Sequence, residues 1–258
     1  VNYFTAFLLG FIIQGDFSLE SFVAVTSKDW FLGSMALGAM FILVFSLMVI
    51  TTQKGGMSVV SVASKMSVAI PVVFVILYYK EPLGVLKIIG IGTALVSVYL
   101  VSVRKRDGLS IDIKYFIFPL LVFLGSGIVE SSIKFLENTY VPNNEVSLFS
   151  ANTFFFAAIA GMVFFGLKQL KKKTSVKSKD ILGGILLGIP NYFSIYFFIL
   201  ALRIEGLESS SIFIINNVII VLLSTLLGIV FFKENIIPKN WVGIALAILS
   251  IILITYTQ

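Results

Sequence analysis

The sequence contains no cysteine and no histidine in 258 residues. Disulfides, thiol chemistry, imidazole proton relays, and zinc or haem ligation through Cys or His are therefore excluded. Charge is scarce too: Asp, Glu, Lys and Arg make up 12%, against about 25% in a soluble domain. A soluble protein of this size could not cover its surface with so few ionic groups. Paired carboxylates of the glycosidase type, nucleophile triads and phosphate-binding loops are also absent. No cofactor is expected.

What is there is apolar. Hydrophobic residues make up 58% and aromatic residues 14%, and they fall in solid runs such as 181–202 and 241–256. Each run approaches the ~20 residues that a helix needs to cross a bilayer. A transmembrane barrel would need alternating polarity in ~10-residue strands instead. The expected fold class is thus all-α, a polytopic membrane protein. Splitting the runs at charges, prolines and Gly-Asn clusters gives nine candidate spans: 2–14, 31–52, 58–79, 87–103, 115–136, 146–167, 181–203, 209–232 and 241–257. The first is too short to cross unless extended upstream of Val1. The residues after Val1 lack a basic n-region and do not resemble a signal peptide. Trp30 and Trp241 open spans, where an amphipathic ring favours the headgroup layer.

Successive loops alternate sides, so Lys and Arg counts predict orientation. Lys28, Lys80, Lys87, Lys134 and Arg203 fall on one side. Thirteen fall on the other: Lys54, Arg104, Lys105, Arg106, Lys114, Lys168, Lys171, Lys172, Lys173, Lys177, Lys179, Lys233 and Lys239. The positive-inside rule puts the thirteen in the cytoplasm and Gln258 outside. Lys171–Lys173 reads as a juxtamembrane loop attracted to anionic lipid, not as a nucleic-acid patch.

Shifting the chain by 153 residues aligns 58–103 with 211–256 without a gap. Tyr78, Tyr79, Lys80 and Glu81 then match Phe231, Phe232, Lys233 and Glu234. Gly90, Ala94, Ser97 and Leu100 match Gly243, Ala247, Ser250 and Leu253. Hydrophobicity alone does not place an aromatic pair, Lys-Glu and then a glycine nine residues on in both halves. The unit is five helices, with residues 1–106 as the first repeat and 107–258 as the second. An odd number of spans separates the copies, which makes the repeat an inverted one. That is a mark of secondary transporters with a midplane site between the halves.

A helix ending Tyr-Tyr-Lys-Glu or Phe-Phe-Lys-Glu, then a short loop and a glycine-bearing final helix, resembles the EamA-like group of the drug/metabolite transporter superfamily. The resemblance covers essentially the whole chain. It implies a ten-helix, five-plus-five inverted repeat that moves small metabolites by alternating access. It also implies that one further helix precedes Val1, since Val1–Ala6 resembles the usual opening of helix 2. Common members often carry a basic loop after that helix, whereas Gly15–Trp30 is slightly acidic here.

Ionisable groups inside spans cost ~2.5–3.5 kcal/mol on insertion scales and normally face an interior cavity. Lys65 lies about 10 Å deep from the basic side at 1.5 Å per residue. It shares one helical face with Ser61, Ser64 and Val68. It reads either as an anchor for an anionic substrate group or as a lysine snorkelling to the headgroups. Glu130 and Lys134 have the spacing of a local i,i+4 ion pair. The alternative is a proton-coupling carboxylate or an external gate. Glu130 and Lys65 differ by ~12 Å in depth, too far for direct contact. Asn191 follows Gly188 and Pro190, which are expected to break a span near the midplane, and Tyr192 and Tyr196 add hydroxyls. Asn216 and Asn217 align with Ala63 and Ser64 in the repeat-mate of the Lys65 helix. Interhelical hydrogen bonding is the competing reading of these amides. Pro71 is expected to kink the Lys65 helix, and the two Lys-Glu pairs read as structural charges at helix ends.

The expected substrate-binding residues are Lys65, Ser61, Ser64, Asn191, Tyr192, Asn216 and Asn217, with Glu130 and Lys134 for coupling or gating. Donors dominate, so the expected partner is a small anionic or carboxylate-bearing molecule, besides the lipid bilayer. A homodimer is an open alternative, and no nucleic acid is expected. The leading function is a secondary active transporter in a bacterial inner membrane. A non-transporting membrane partner and an intramembrane enzyme are the alternatives, the enzyme short of machinery with a single carboxylate inside a span.

Overall fold

The computed structural model describes residues 1–15, 23–102, 116–171, 177–233 and 237–256, apart from the side chains of Ser58, Lys168, Leu170, Lys171 and Phe232. Of the orienting charges, Arg104, Lys105, Arg106, Lys114, Lys172 and Lys173 lie outside the described residues, as does Glu234 of the second Lys-Glu pair. The described residues form ten α-helices: α1 (Asn2–Gln14), α2 (Phe31–Gly55), α3 (Met57–Met66), α4 (Ala69–Tyr78), α5 (Val85–Ser102), α6 (Ile117–Thr139), α7 (Val146–Lys171), α8 (Ser178–Leu202), α9 (Ser209–Phe232) and α10 (Pro238–Thr255). No strand occurs among them. Eight spans are long and apolar enough to cross a membrane, α3 and α4 together supplying Val59–Tyr78. Helix ends fall within four residues of those expected. Large apolar side chains such as Leu32, Leu77 and Phe231 remain exposed, as lipid-facing residues do. The chain is an integral, multi-pass membrane protein.

The helices end where backbone chemistry ends them. Gly15 closes α1 in the left-handed conformation, its N–H donating to Phe11 and Ile12 carbonyls. Gly56, at φ 84°, separates α2 from α3. Pro238 occupies the first turn of α10, where its missing N–H costs nothing.

The Pro71 expectation shifts by one turn. The interruption falls at Ser67–Val68, between α3 and α4. Proline has no N–H for the carbonyl four residues back, which is that of Ser67. Tighter bonds replace the ladder there: Val68 N–H donates to Lys65, and Ile70 N–H to Ser67 at 2.9 Å. The Pro190 expectation is overturned, because α8 runs unbroken through it. The preceding turn is clamped by α1: a Cβ on Gly188 would sit 2.6 Å from the Asn2 carbonyl oxygen and from Thr5 Cβ. A neighbour this close holds a proline-bearing turn in line.

The chain divides into two compact units, Val1–Leu43 with Ser132–Arg203, and Val44–Ser131 with Ile204–Gln258. In the first, α1 packs on α7 and α8 over an aromatic core that includes Phe7, Phe11, Phe149, Phe154 and Tyr192. Interhelical hydrogen bonds pin it. Asn152 donates to Ser34 at 2.6 Å and Ser147 to the Gly10 carbonyl at 2.9 Å. Small residues that admit close backbones and hydroxyls that bond across are how helices associate without a hydrophobic drive.

In the second unit, α5 lies along α10, and α9 packs on α4 and α5. The 153-residue shift reappears here as geometry. A Cβ on Gly90 would come within 2.7 Å of Ile254, and one on Gly243 within 2.7 Å of Val101. Gly243 and Ile254 are the shifted counterparts of Gly90 and Val101. Ser97 and Ser250, also counterparts, are both buried and both donate three residues back, at 2.8 Å. Lys80 and Lys233 share a backbone state as well. They are the two non-glycine residues with positive φ among those described, at 55° and 51°.

Candidate functional site

The Lys65 region belongs to the second unit. Lys65 lies in the last turn of α3, two residues ahead of the interruption. Ser64 Oγ donates back to the Ser61 carbonyl, and Ser67 Oγ to that of Ser64 at 2.6 Å. Against the start of α4 comes α6, so near that a Cβ on Gly127 would overlap Ile70. Glu130 stands one turn beyond Gly127 on the same side of α6. One of its carboxylate oxygens, Oε2, is buried without a hydrogen-bond partner, and so is Ser126 Oγ, one turn earlier. Lys65 and Glu130 attract each other through their charges. Among the described residues no ion pair joins them, consistent with the ~12 Å difference in depth. Among the described residues the region therefore holds one lysine, one carboxyl group and two unsatisfied oxygens beside a broken helix.

Asn217, in α9, is 4% exposed, and its amide donates to the Phe213 carbonyl at 3.3 Å. Asn216 beside it is half-buried.

Three expected residues sit in the first unit and are engaged there. Tyr192 is fully buried, its hydroxyl 2.8 Å from Ser147 Oγ and its ring stacked on Tyr196. Asn191 donates to the Asn2 side chain at 3.3 Å. The pairing expected between Glu130 and Lys134 gives way to another: the Lys134 ammonium donates to Glu137, three residues onward, at 2.6 Å. Arg203 draws Glu137 into place. Its Nε donates to Glu137 Oε2 at 2.9 Å, Nη2 to the Glu137 and Val141 carbonyls, and Nη1 to Asn143.

Two further ionic clusters carry no signal in the local sequence. Lys87, a loop charge by the sequence pattern, lies in α5, 2% exposed, with Glu208, Glu81 and the Pro82 carbonyl around it. Glu81 also accepts from the Ser209 and Ser210 N–H groups at 2.9 and 3.1 Å, which caps α9. That agrees with the structural reading of the first Lys-Glu pair. Glu145, just before α7, accepts from Lys28 and from Trp30 Nε1 at 2.7 Å. The headgroup expectation for Trp30 is thereby corrected. The ring is fully buried against Phe149 because its N–H has a carboxylate to bond. Trp241 stays exposed.

Known proteins supply an independent reference. Residues 117–256 match the EamA-like transporter family. A curated relative from Haemophilus influenzae, described as an uncharacterized protein, is 27% identical over 258 residues, 99% of this chain and 86% of its own length. A solved crystal structure, 16% identical, superposes with a TM-score of 0.71 over 100% of this chain and 88% of that one. This second likeness concerns the fold alone.

Proposed function

The chain belongs to the EamA-like transporter family, and from that premise we propose that it is a secondary active transporter moving a small metabolite by alternating access. The observation that carries this reading is Lys65, a cation inside a membrane span, placed at a helix interruption and joined to no acid in an ion pair among the described residues. A lone charge at such depth is expensive and normally faces a cavity or its ligand. The substrate site is built on Lys65, with Ser61, Ser64, Asn216 and Asn217 as further polar groups, and the cargo carries a carboxylate or a similar electron-rich oxygen group. Asn191, Tyr192 and Lys134 are assigned to helix packing in the first unit, where their partners lie. The two inverted repeats, 1–106 and 107–258, both contribute to this site, Lys65, Ser61 and Ser64 from the first and Asn216 and Asn217 from the second. In a bacterial inner membrane, the charge bias favours an orientation with Gln258 outside.

The test is flux. Purified full-length chain in liposomes should take up one or more members of a panel of radiolabelled monocarboxylates above protein-free vesicles. Lys65→Met, which keeps length and apolar bulk, should abolish that uptake while the protein stays folded. Uptake by Lys65→Met at the wild-type rate would leave the lysine a snorkelling residue and remove the basis of the reading.

A further inference from the structure

We infer that Glu130 carries the coupling proton, and that the substrate anion takes its place as the counter-charge of Lys65, making the cycle an electroneutral symport of one proton with one monovalent anion. The inference rests on the transporter reading above and extends it from a binding site to a coupling rule.

The geometry supplies the pieces. The close contact of Gly127 with Ile70 fixes the register of α6 against the broken helix. From that contact Glu130 lies one turn one way and Lys65 five residues the other way, about 12 Å apart in height. At that separation no ion pair joins the two side chains among the described residues, so an anion bound between them would meet the ammonium without displacing an existing partner. Buried Glu130 Oε2 and Ser126 Oγ lack partners beside it, where a protonated carboxyl and a bound oxygen group would each find one. Among the described residues few other titratable groups can intervene. Lys54 of α2 and Tyr78 of α4 lie at helix ends, Tyr79 follows α4 as its C-cap, and Lys134 on α6 itself is held by Glu137.

Charge balance does the rest. In low dielectric a net charge resists moving through the membrane, so the forms that reorient are the neutral ones. The empty carrier is neutral with Lys65 ammonium and Glu130 carboxylate. Adding a monoanion alone leaves one negative charge in excess. A proton taken from water onto Glu130 removes that excess, and the loaded form is neutral again. On the far side the anion leaves with the proton. Each turnover thus moves one proton and one anion in the same direction, with no net charge.

This rule makes a specific forecast for Glu130→Gln. That variant is neutral only when the anion is bound, so it can return across the membrane loaded but not empty. Net uptake should be lost, while exchange of internal for external anion persists. The experiment uses full-length protein in liposomes and the monocarboxylate panel. For the wild type, an inward proton gradient should drive accumulation, and a potassium–valinomycin potential of either sign should leave the rate unchanged. Wild-type uptake that ignores the pH gradient, or that follows the potential, overturns the coupling rule while the transporter reading stands. Loss of exchange in folded Glu130→Gln places Glu130 in substrate binding and overturns it too. If no monocarboxylate moves, the anion-carrier reading itself fails, and this inference with it.

Discussion

The ammonium of Lys87, in the first turn of α5, rests on the carboxylate of Glu208, 121 residues further along the chain and next to the start of α9. With Glu81 at 3.6 Å capping α9 through Ser209 and Ser210, one lysine and two acids fasten three chain segments of the second unit. Deleting one partner of a buried ion pair typically costs about 3–5 kcal/mol, mainly because the other charge is stranded. Lys87→Met should therefore lower the thermal stability of the detergent-solubilised protein sharply. Lys87→Met combined with Glu208→Gln should recover part of the loss. A double variant as unstable as the single one would show that Glu208 is not the stranded partner.

The paired glycines should not be equally tolerant. A methyl at Gly243 meets the Val101 backbone nitrogen and Leu100 Cβ, both at 3.0 Å, as well as Val101 Cγ2. At Gly90 the obstacle is chiefly the Ile254 side chain, which can turn aside. Overpacking a tight contact costs about 1–3 kcal/mol. Gly243→Ala should sit in the upper part of that range and Gly90→Ala in the lower. Melting temperatures of the two variants, compared side by side, decide it.

Arg203 tests whether charge or shape holds the end of α8. Its guanidinium serves Glu137, Asn143 and two carbonyls at once. A lysine keeps the charge but lacks the planar fork. Arg203→Lys should destabilise the protein by about 1–3 kcal/mol, read from denaturation in detergent. An unchanged melting temperature would mean that the charge alone suffices.

Lys65→Met should separate function from stability. It removes an intramembrane cation whose placement costs ~2.5–3.5 kcal/mol on insertion scales. The variant's melting temperature should hold or rise even as transport disappears. A clear fall would mark Lys65 as part of the framework.

The helices are legible in the residues, and most of the polar chemistry is not. Apolar runs and their Gly, Pro and charge boundaries are local signals, so α2, α5 and α9 follow from the residues alone. The interruption at Ser67–Val68 takes one further step, because a proline frees a carbonyl a full turn before itself. Lys65, Glu130 and Asn217 stand out as polar residues in apolar runs. Their partners do not, since those depend on which helices meet. Lys134 has Glu130 and Glu137 almost equally near along the helix, and a third residue beyond the end of α8, Arg203, fixes where Glu137 sits. Lys87 and Glu208 are each ordinary beside a loop. Trp30 misleads for the same reason: an interfacial tryptophan and one bonded to a half-buried carboxylate look alike until Glu145 is in place.

The α5–α10 crossing has a further consequence. Gly90 meets Ile254 while their counterparts Gly243 and Val101 meet in turn, and such reciprocity defines an isologous surface, the kind that two identical subunits share across a two-fold axis. Each helix brings both halves of a self-complementary contact. Two separate polypeptides bearing this surface would find each other only as their concentration allowed. In a single chain the same contact is intramolecular, so its occupancy is set by the length of the connection and is indifferent to dilution.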